Sequence, residues 1–140
     1  MIFYLIYLSS ATNLFSEKEL SEILTTSRIK NTSKDITGLL LYNNGKILQV
    51  LEGDEETVMN VYFDIEQDNR HRGIIRIFSG KSEERNFPDW SMGFKAVSEK
   101  EWNELSGYLQ MDSSNINSKS KNRNKIIDTL VNSYMKTNVM

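Results

Sequence analysis

An α+β domain with the element order β-α-β-β-α-β-β follows from three observations: a helix-start signal after an opening apolar strand, a tight hairpin turn, and a second amphipathic segment followed by two more extended runs. The first strand runs from Ile2 to Leu8. Ser16-x-x-Glu19 has the form of a capping box, and Phe15 and Leu20 flank it as a hydrophobic staple, so a helix is expected from Glu17 with Leu20, Ile23, Leu24 and Ser27 facing inward. Ile36 to Tyr42 and Lys46 to Leu51 enclose Asn43-Asn44-Gly45, a turn whose residues tolerate positive φ. After Asp54, Val58, Val61, Tyr62 and Ile65 recur at helical spacing, which predicts a second helix ending near Asp68. Strands at Ile74 to Ser79 and Met92 to Val97 complete a ferredoxin-like plan with one added strand.

Both faces of the first strand are apolar, Phe3, Leu5 and Tyr7 on one and Ile2, Tyr4, Ile6 and Leu8 on the other. Two crossover helices shield a single face, so the C-terminal segment, with Trp102, Leu105 and Leu109, is expected on the opposite one. Ile126, Ile127, Leu130, Val131, Tyr134 and Met135 form a further amphipathic helix, and the polar stretch 112 to 124 reads as the loop before it. The organisation expected is a domain over 1–97 and a C-terminal helical extension over 98–140.

At 140 residues with 39% hydrophobic content the chain can bury one real core. Seventeen Lys and Arg against nineteen Asp and Glu give a net charge of -2, which argues against general attraction to nucleic acid or to an anionic membrane. The absence of cysteine removes disulfides and thiolate chemistry, and the single histidine disfavours a zinc centre. The opening run is too short for a signal peptide, and no apolar stretch reaches the about 18 residues of a membrane span, so a cytoplasmic location is expected. No internal repeat is present.

The most apolar strand, Ile47-Leu48-Gln49-Val50-Leu51, carries a glutamine at its centre. An unpaired buried amide costs about 1 to 3 kcal/mol, so a partner is expected. If the first strand lies beside it, Tyr7 points to the same face and offers its phenol. With Leu5-Ile6-Tyr7-Leu8-Ser9, Ser27-Arg28-Ile29-Lys30-Asn31, Ile36-Thr37-Gly38, Leu48-Gln49-Val50-Leu51-Glu52-Gly53, Asp68-Asn69-Arg70-His71 and Trp90-Ser91-Met92-Gly93, residues 1 to 97 resemble the BLUF family of flavin-binding blue-light sensors.

The resemblance implies a non-enzymatic photoreceptor that binds FAD, other flavins being admissible. Ile23 and Ile65 match the positions that hold the flavin ring between the helices; ordinary core packing is the alternative for both. Asn31 matches the residue that bonds the N3-H and C4=O edge, its alternative being a helix C-cap. Ser27 and Lys30 fall in the same motif. Asp68, Arg70 and His71 resemble the motif near the ribityl and phosphate part of the cofactor, where Arg suits a phosphate, and their alternative is a solvated helix end.

The implied mechanism has blue light excite the flavin, Tyr7 give it an electron and a proton move through Gln49. Recombination then leaves a rearranged hydrogen-bond network, a red-shifted spectrum and slow recovery in the dark. An amide suits this role because its two ends have nearly equal shape and opposite hydrogen-bonding character. The alternatives are a Gln49 satisfied by backbone and a Tyr7 that is a half-buried strand aromatic. Trp90 and Met92 match output positions; which of them faces inward stays open, and simple core packing is the alternative for each. Where the family often carries Asn or His, this chain has Lys30, and where a basic residue or His is common it has Asp64, so a Lys30–Asp64 pair is expected across the pocket mouth. Expected partners are the flavin, a downstream protein and further copies of the chain. The competing function is a ferredoxin-like regulator that binds a small molecule or a protein without photochemistry. A small acylphosphatase-like hydrolase lacks its glycine loop and nucleophile here.

Overall fold

The structure, a computed structural model, describes residues 1–104. In chain order the elements are β1 (Ile2–Ala11), α1 (Glu17–Ser33), β2 (Thr37–Asn43), β3 (Lys46–Gly53), α2 (Glu55–Gln67), β4 (His71–Ser82) and β5 (Gly93–Ala96). The sheet order is β4-β1-β3-β2-β5. β1 lies antiparallel between β3 and β4, β2 is antiparallel to β3, and β5 joins β2 in parallel. This is the expected ferredoxin-like plan with its extra strand.

Local chemistry sets the element ends. Ser16 Oγ accepts from the Glu19 N-H at 3.1 Å while Glu19 Oε1 accepts from the Ser16 N-H at 3.2 Å, the reciprocal capping box that starts α1. Phe15 and Leu20 both pack on the core beneath it. Asp54 caps α2 by accepting from the Thr57 N-H at 3.3 Å. Asn44 (φ 45) and Gly45 (φ 89) both take positive φ in the two-residue β2–β3 turn, the conformation that suits the right-handed twist of the hairpin.

Strand limits differ from the sequence expectation where side chains do not announce backbone pairing. β4 begins at His71 and ends at Ser82, three residues beyond the apolar run at each end, because it follows β1 from Ala11↔His71 to Ile2↔Ser82. β5 is shorter: at its start the Met92 carbonyl accepts from the Arg28 side chain, and its pairing with β2 ends at Tyr42↔Ala96, closed by the Val97 N-H donating to the Tyr42 carbonyl at 2.9 Å. β2 starts at Thr37 because the Ile36 N-H returns to the Asn31 carbonyl at 2.8 Å.

The sheet is apolar on both faces, as its first strand required. Phe3, Leu5, Tyr7, Ile47 and Leu51 meet Leu24 of α1 and Val58 and Tyr62 of α2 on the helix face. Tyr4, Ile6, Leu39, Leu41, Leu48, Val50 and Phe78 meet Phe87, Val97 and Trp102 on the other. Trp102 arrives there on a helical turn that starts at Glu99, capped by reciprocal Ser98 and Glu101 bonds at 3.1 and 3.2 Å. Leu105, Leu109, the polar stretch and the helix expected over 126–135 lie outside the described residues.

β2 and β3 pack without room for a side chain at Gly38, where an added Cβ would sit 2.0 Å from the Val50 carbonyl oxygen. The clash is with backbone, so relief requires the strands to part. Gly38→Ala is expected to lower stability by about 3 kcal/mol, the upper end of overpacking costs, read as a fall in the thermal or urea midpoint.

Candidate functional site

Antiparallel pairing of β1 and β3 places Tyr7 directly opposite Gln49, with both side chains on the helix face. Tyr7 is fully buried and Gln49 is 6% exposed. The Tyr7 hydroxyl donates to Gln49 Oε1, which supplies the partner that a buried amide requires. At its other end Gln49 Nε2 donates to Met92 Sδ at 3.4 Å. Burial, reinforced by neighbouring Tyr62 and Asp68, pushes the Tyr7 phenol well above its ordinary pKa, so it stays a neutral donor. The Tyr62 ring stands edge-on to Tyr7 with centroids 5.5 Å apart. Nothing in the sequence beyond helical periodicity marks Tyr62 as this neighbour.

A cleft opens above the pair, between α1 and α2. It comprises two cavities, of about 160 and about 80 Å3, that share Ile23, Ser27, Gln49, Ile65, Asp68 and Arg70. Ile23 and Ile65 are half-buried wall residues of both cavities, unlike Val58, which is sealed in the core. Lys30, Asn31 and Asp64 line the larger cavity, together with Thr26, Lys34, Leu51 and Val61, while His71 lines the smaller. Lys30 and Asp64 therefore share the cleft, but they make no ion pair among the described residues, and that expectation is corrected. Both side chains are exposed, and an exposed pair gains little over water.

The Trp-Ser-Met segment before β5 is held by three consecutive carbonyls. The Gly38 N-H donates to the Trp90 carbonyl at 3.0 Å, Asn31 Nδ2 to Ser91 at 2.7 Å, and Arg28 Nε to Met92 at 2.9 Å. Met92 is 1% exposed and joins the helix-face core beside Gln49. Trp90 turns to the other face, stacked on Phe87 with ring centroids 5.8 Å apart. Of Tyr7, Gln49, Trp90 and Met92, Trp90 is thus the one that stands outside the Tyr7–Gln49–Met92 contact chain. Both residues precede β5, which starts at Gly93, so strand alternation does not govern them and their spacing left the choice open. Asn31, 4% exposed, serves the segment with its amide nitrogen and the helix exit with its main-chain carbonyl.

At the end of α2, Arg70 Nε donates to both oxygens of Asp68 at 3.0 Å, and its N-H donates to Oδ1 at 2.9 Å. The Arg70 hydrogen bonds hold the Asp68 carboxyl down at about 2, below the usual range. Much of the Arg70 fork is therefore already engaged within the motif. His71 Nδ1 lies 3.1 Å from Ser9 Oγ, and burial lowers its pKa.

Two aliphatic walls, buried side-chain amides on the floor and cations at the rim suit a flat, largely apolar ring with an amide-like edge. On a ferredoxin-like sheet that combination fits a flavin-binding module. Residues 2–93 match the family described as "BLUF: Sensors of blue-light using FAD". The chain belongs to the BLUF family, whose modules are photosensors and use FAD.

Among relatives, 89 residues are 38% identical to photoactivated adenylate cyclase subunit beta of Euglena longa, covering 63% of this chain and 10% of that protein. Over 87 residues the chain is 34% identical to the blue light- and temperature-regulated antirepressor BluF of Escherichia coli K12, 62% of this chain and 22% of that one. The match therefore spans a tenth to about a fifth of these relatives' length. Among solved structures, the dark state of the BLUF protein BlrB aligns with a TM-score of 0.72 at 28% identity, covering 94% of this chain and 96% of that chain. A bacterial light-regulated adenylyl cyclase aligns at 0.69 and 30% identity, covering 86% and 36%. No helix among the described residues is long and apolar enough to cross a membrane.

The titrating groups of the cleft fix a pH dependence. The fold holds His71 neutral, so as pH falls below the ordinary histidine value of 6.5 the unfolded chain takes up a proton first and stability declines. His71→Gln is expected to flatten the unfolding midpoint across that window. Asp68 acts lower down: its stabilisation is complete above the ordinary 3.8 and is lost as pH falls towards about 2, a step that Arg70→Gln should shrink.

Proposed function

We propose that this chain senses blue light through a hydrogen-bond rearrangement centred on Tyr7 and Gln49 and passes it to a protein partner by contact. One observation carries the reading: a buried phenol donates to a buried amide on the floor of a cleft walled by Ile23 and Ile65. FAD, when bound, supplies the blue absorption and an excited electron acceptor. Ile23 and Ile65 would hold its ring, with Ser27, Lys30 and Asn31 along the α1 side and Asp68, Arg70 and His71 towards its tail. Tyr7 is the electron donor. Loss of an electron makes its phenol strongly acidic, and the proton leaves along the existing bond to Gln49 Oε1. When the electron and a proton return to Tyr7, the neutral Gln49 amide is left, by rotation or tautomerisation, with its donor and acceptor ends exchanged.

Met92 registers the exchange. An amide that turns its oxygen towards Sδ loses the present N-H to sulfur contact, and Met92 lies at the entry to β5. Arg28 and Asn31 connect the same segment to α1. The fifth strand, and beyond it the C-terminal extension over 98–140, form the output path from the sensing unit over 1–97. The partner is a cytoplasmic protein, and assembly into homo-oligomers through the extension and sheet edge accompanies signalling.

Absorption spectra before and after blue illumination test this reading: the yellow protein should show a reversible red shift that decays in darkness. Gln49→Leu is expected to keep the flavin and lose the shift, and Tyr7→Phe to stop the normal photochemistry. A full shift in Gln49→Leu would overturn the mechanism.

A further inference from the structure

On the sheet face away from the cleft one carboxylate is fully buried. Glu52 follows Gln49 by three residues on β3, so strand alternation turns it to the opposite side. Its exposure is 0%, and a buried acid is costly unless its lone pairs are filled. Glu52 Oε1 accepts from the Thr37 hydroxyl at 2.9 Å and from the Phe87 N-H at 2.6 Å, and Oε2 accepts from the Asn86 N-H at 2.9 Å. Arg85 closes the assembly. Its Nη1 donates to Thr37 Oγ1 at 2.9 Å and to the Glu52 carbonyl at 3.2 Å, while Nη2 donates to the Asp35 carbonyl at 2.8 Å and pairs with the Asp35 carboxylate at 3.1 Å.

All these groups grip the connection between β4 and β5. Glu52 fixes Phe87, Phe87 stacks on Trp90, and two residues later Met92 emerges on the other face against Gln49. The segment that must move if Met92 moves is therefore fastened at its start by a side chain of the same strand that carries Gln49.

We propose that Glu52, with Thr37 and Arg85, is a positioning latch that keeps Trp90 on Phe87 and Met92 on Gln49, and so sets how fast the light-formed arrangement returns. This rests on the photochemical reading of Tyr7 and Gln49. With the latch closed, the segment is drawn back to its dark position whenever Gln49 permits; with it loosened, the return loses part of its drive.

Glu52→Gln keeps the shape but turns one acceptor oxygen into a donor, so an N-H of the segment faces an N-H. The variant is expected to bind flavin with a normal dark spectrum and a red shift of normal size. Its recovery in darkness should be about tenfold slower, the factor that a weakened hydrogen bond to a charged group supplies. Amide hydrogen exchange over 86–92 should be faster in the dark, with or without flavin. Thr37→Val removes a single donor and should shift both readouts the same way by less; it also serves if Glu52→Gln fails to fold. Recovery that is unchanged or faster in these variants overturns the timing role, and unchanged exchange overturns the latch itself. If the unaltered protein shows no red shift, the photochemical reading fails instead, and the exchange measurement alone decides the latch.

Discussion

The pairing of one phenol with one amide inside an apolar layer is the constraint on which this architecture depends. Tyr7 and Gln49 are opposite neighbours in the β1–β3 ladder, and a slip of one residue would send every side chain of either strand to the other face. The surrounding sequence prevents that slip. Leu5 and Tyr7 need the helix face, Tyr4 and Ile6 need the opposite one, and the Asn44–Gly45 turn fixes β3 against β2. A buried polar pair satisfied, among the described residues, by itself and by a thioether also gives the layer a specific arrangement that an all-apolar layer would lack.

The second consequence of this layout is that α1 does more than cover the sheet. Its apolar side places Leu24 in the core, its Ile23 walls the cleft, and its Arg28 and Asn31 hold the carbonyls of Met92 and Ser91. Cleft wall and output segment are thus carried by one rigid element. A shift of α1 by less than a hydrogen-bond length would be felt on both, which is how packed elements convert small displacements into discrete rearrangements.

Much of this was legible in the chain itself, wherever a residue's own type dictates its local structure. The capping box at Ser16, the Asn44–Gly45 turn and the two helical stripes gave the element order, and the misplaced polarity of Gln49 pointed to Tyr7. Most of the parts that stayed hidden share one physical trait: they are contacts to distant main-chain groups. Arg28 reaches a carbonyl 64 residues away, Arg85 a carbonyl 50 residues away, and Glu52 two N-H groups in a loop. A carbonyl is the same in every residue, so no sequence pattern names the partner. The length of β4 was hidden for the same reason, and the opposite facing of Trp90 and Met92 depended on a loop conformation rather than on strand alternation.

The thinness of the β2–β5 seam has a consequence for energy scale. Four residues, Gly93 to Ala96, join the sheet on one side only, beside a β4-β1-β3-β2 body whose strands run for seven to twelve residues. Detaching so short a border strand leaves both main cores largely closed, so it belongs to the low-cost openings of the molecule rather than to its global unfolding. A stimulus no larger than one rewired contact is therefore loud at this margin and inaudible in the body of the sheet.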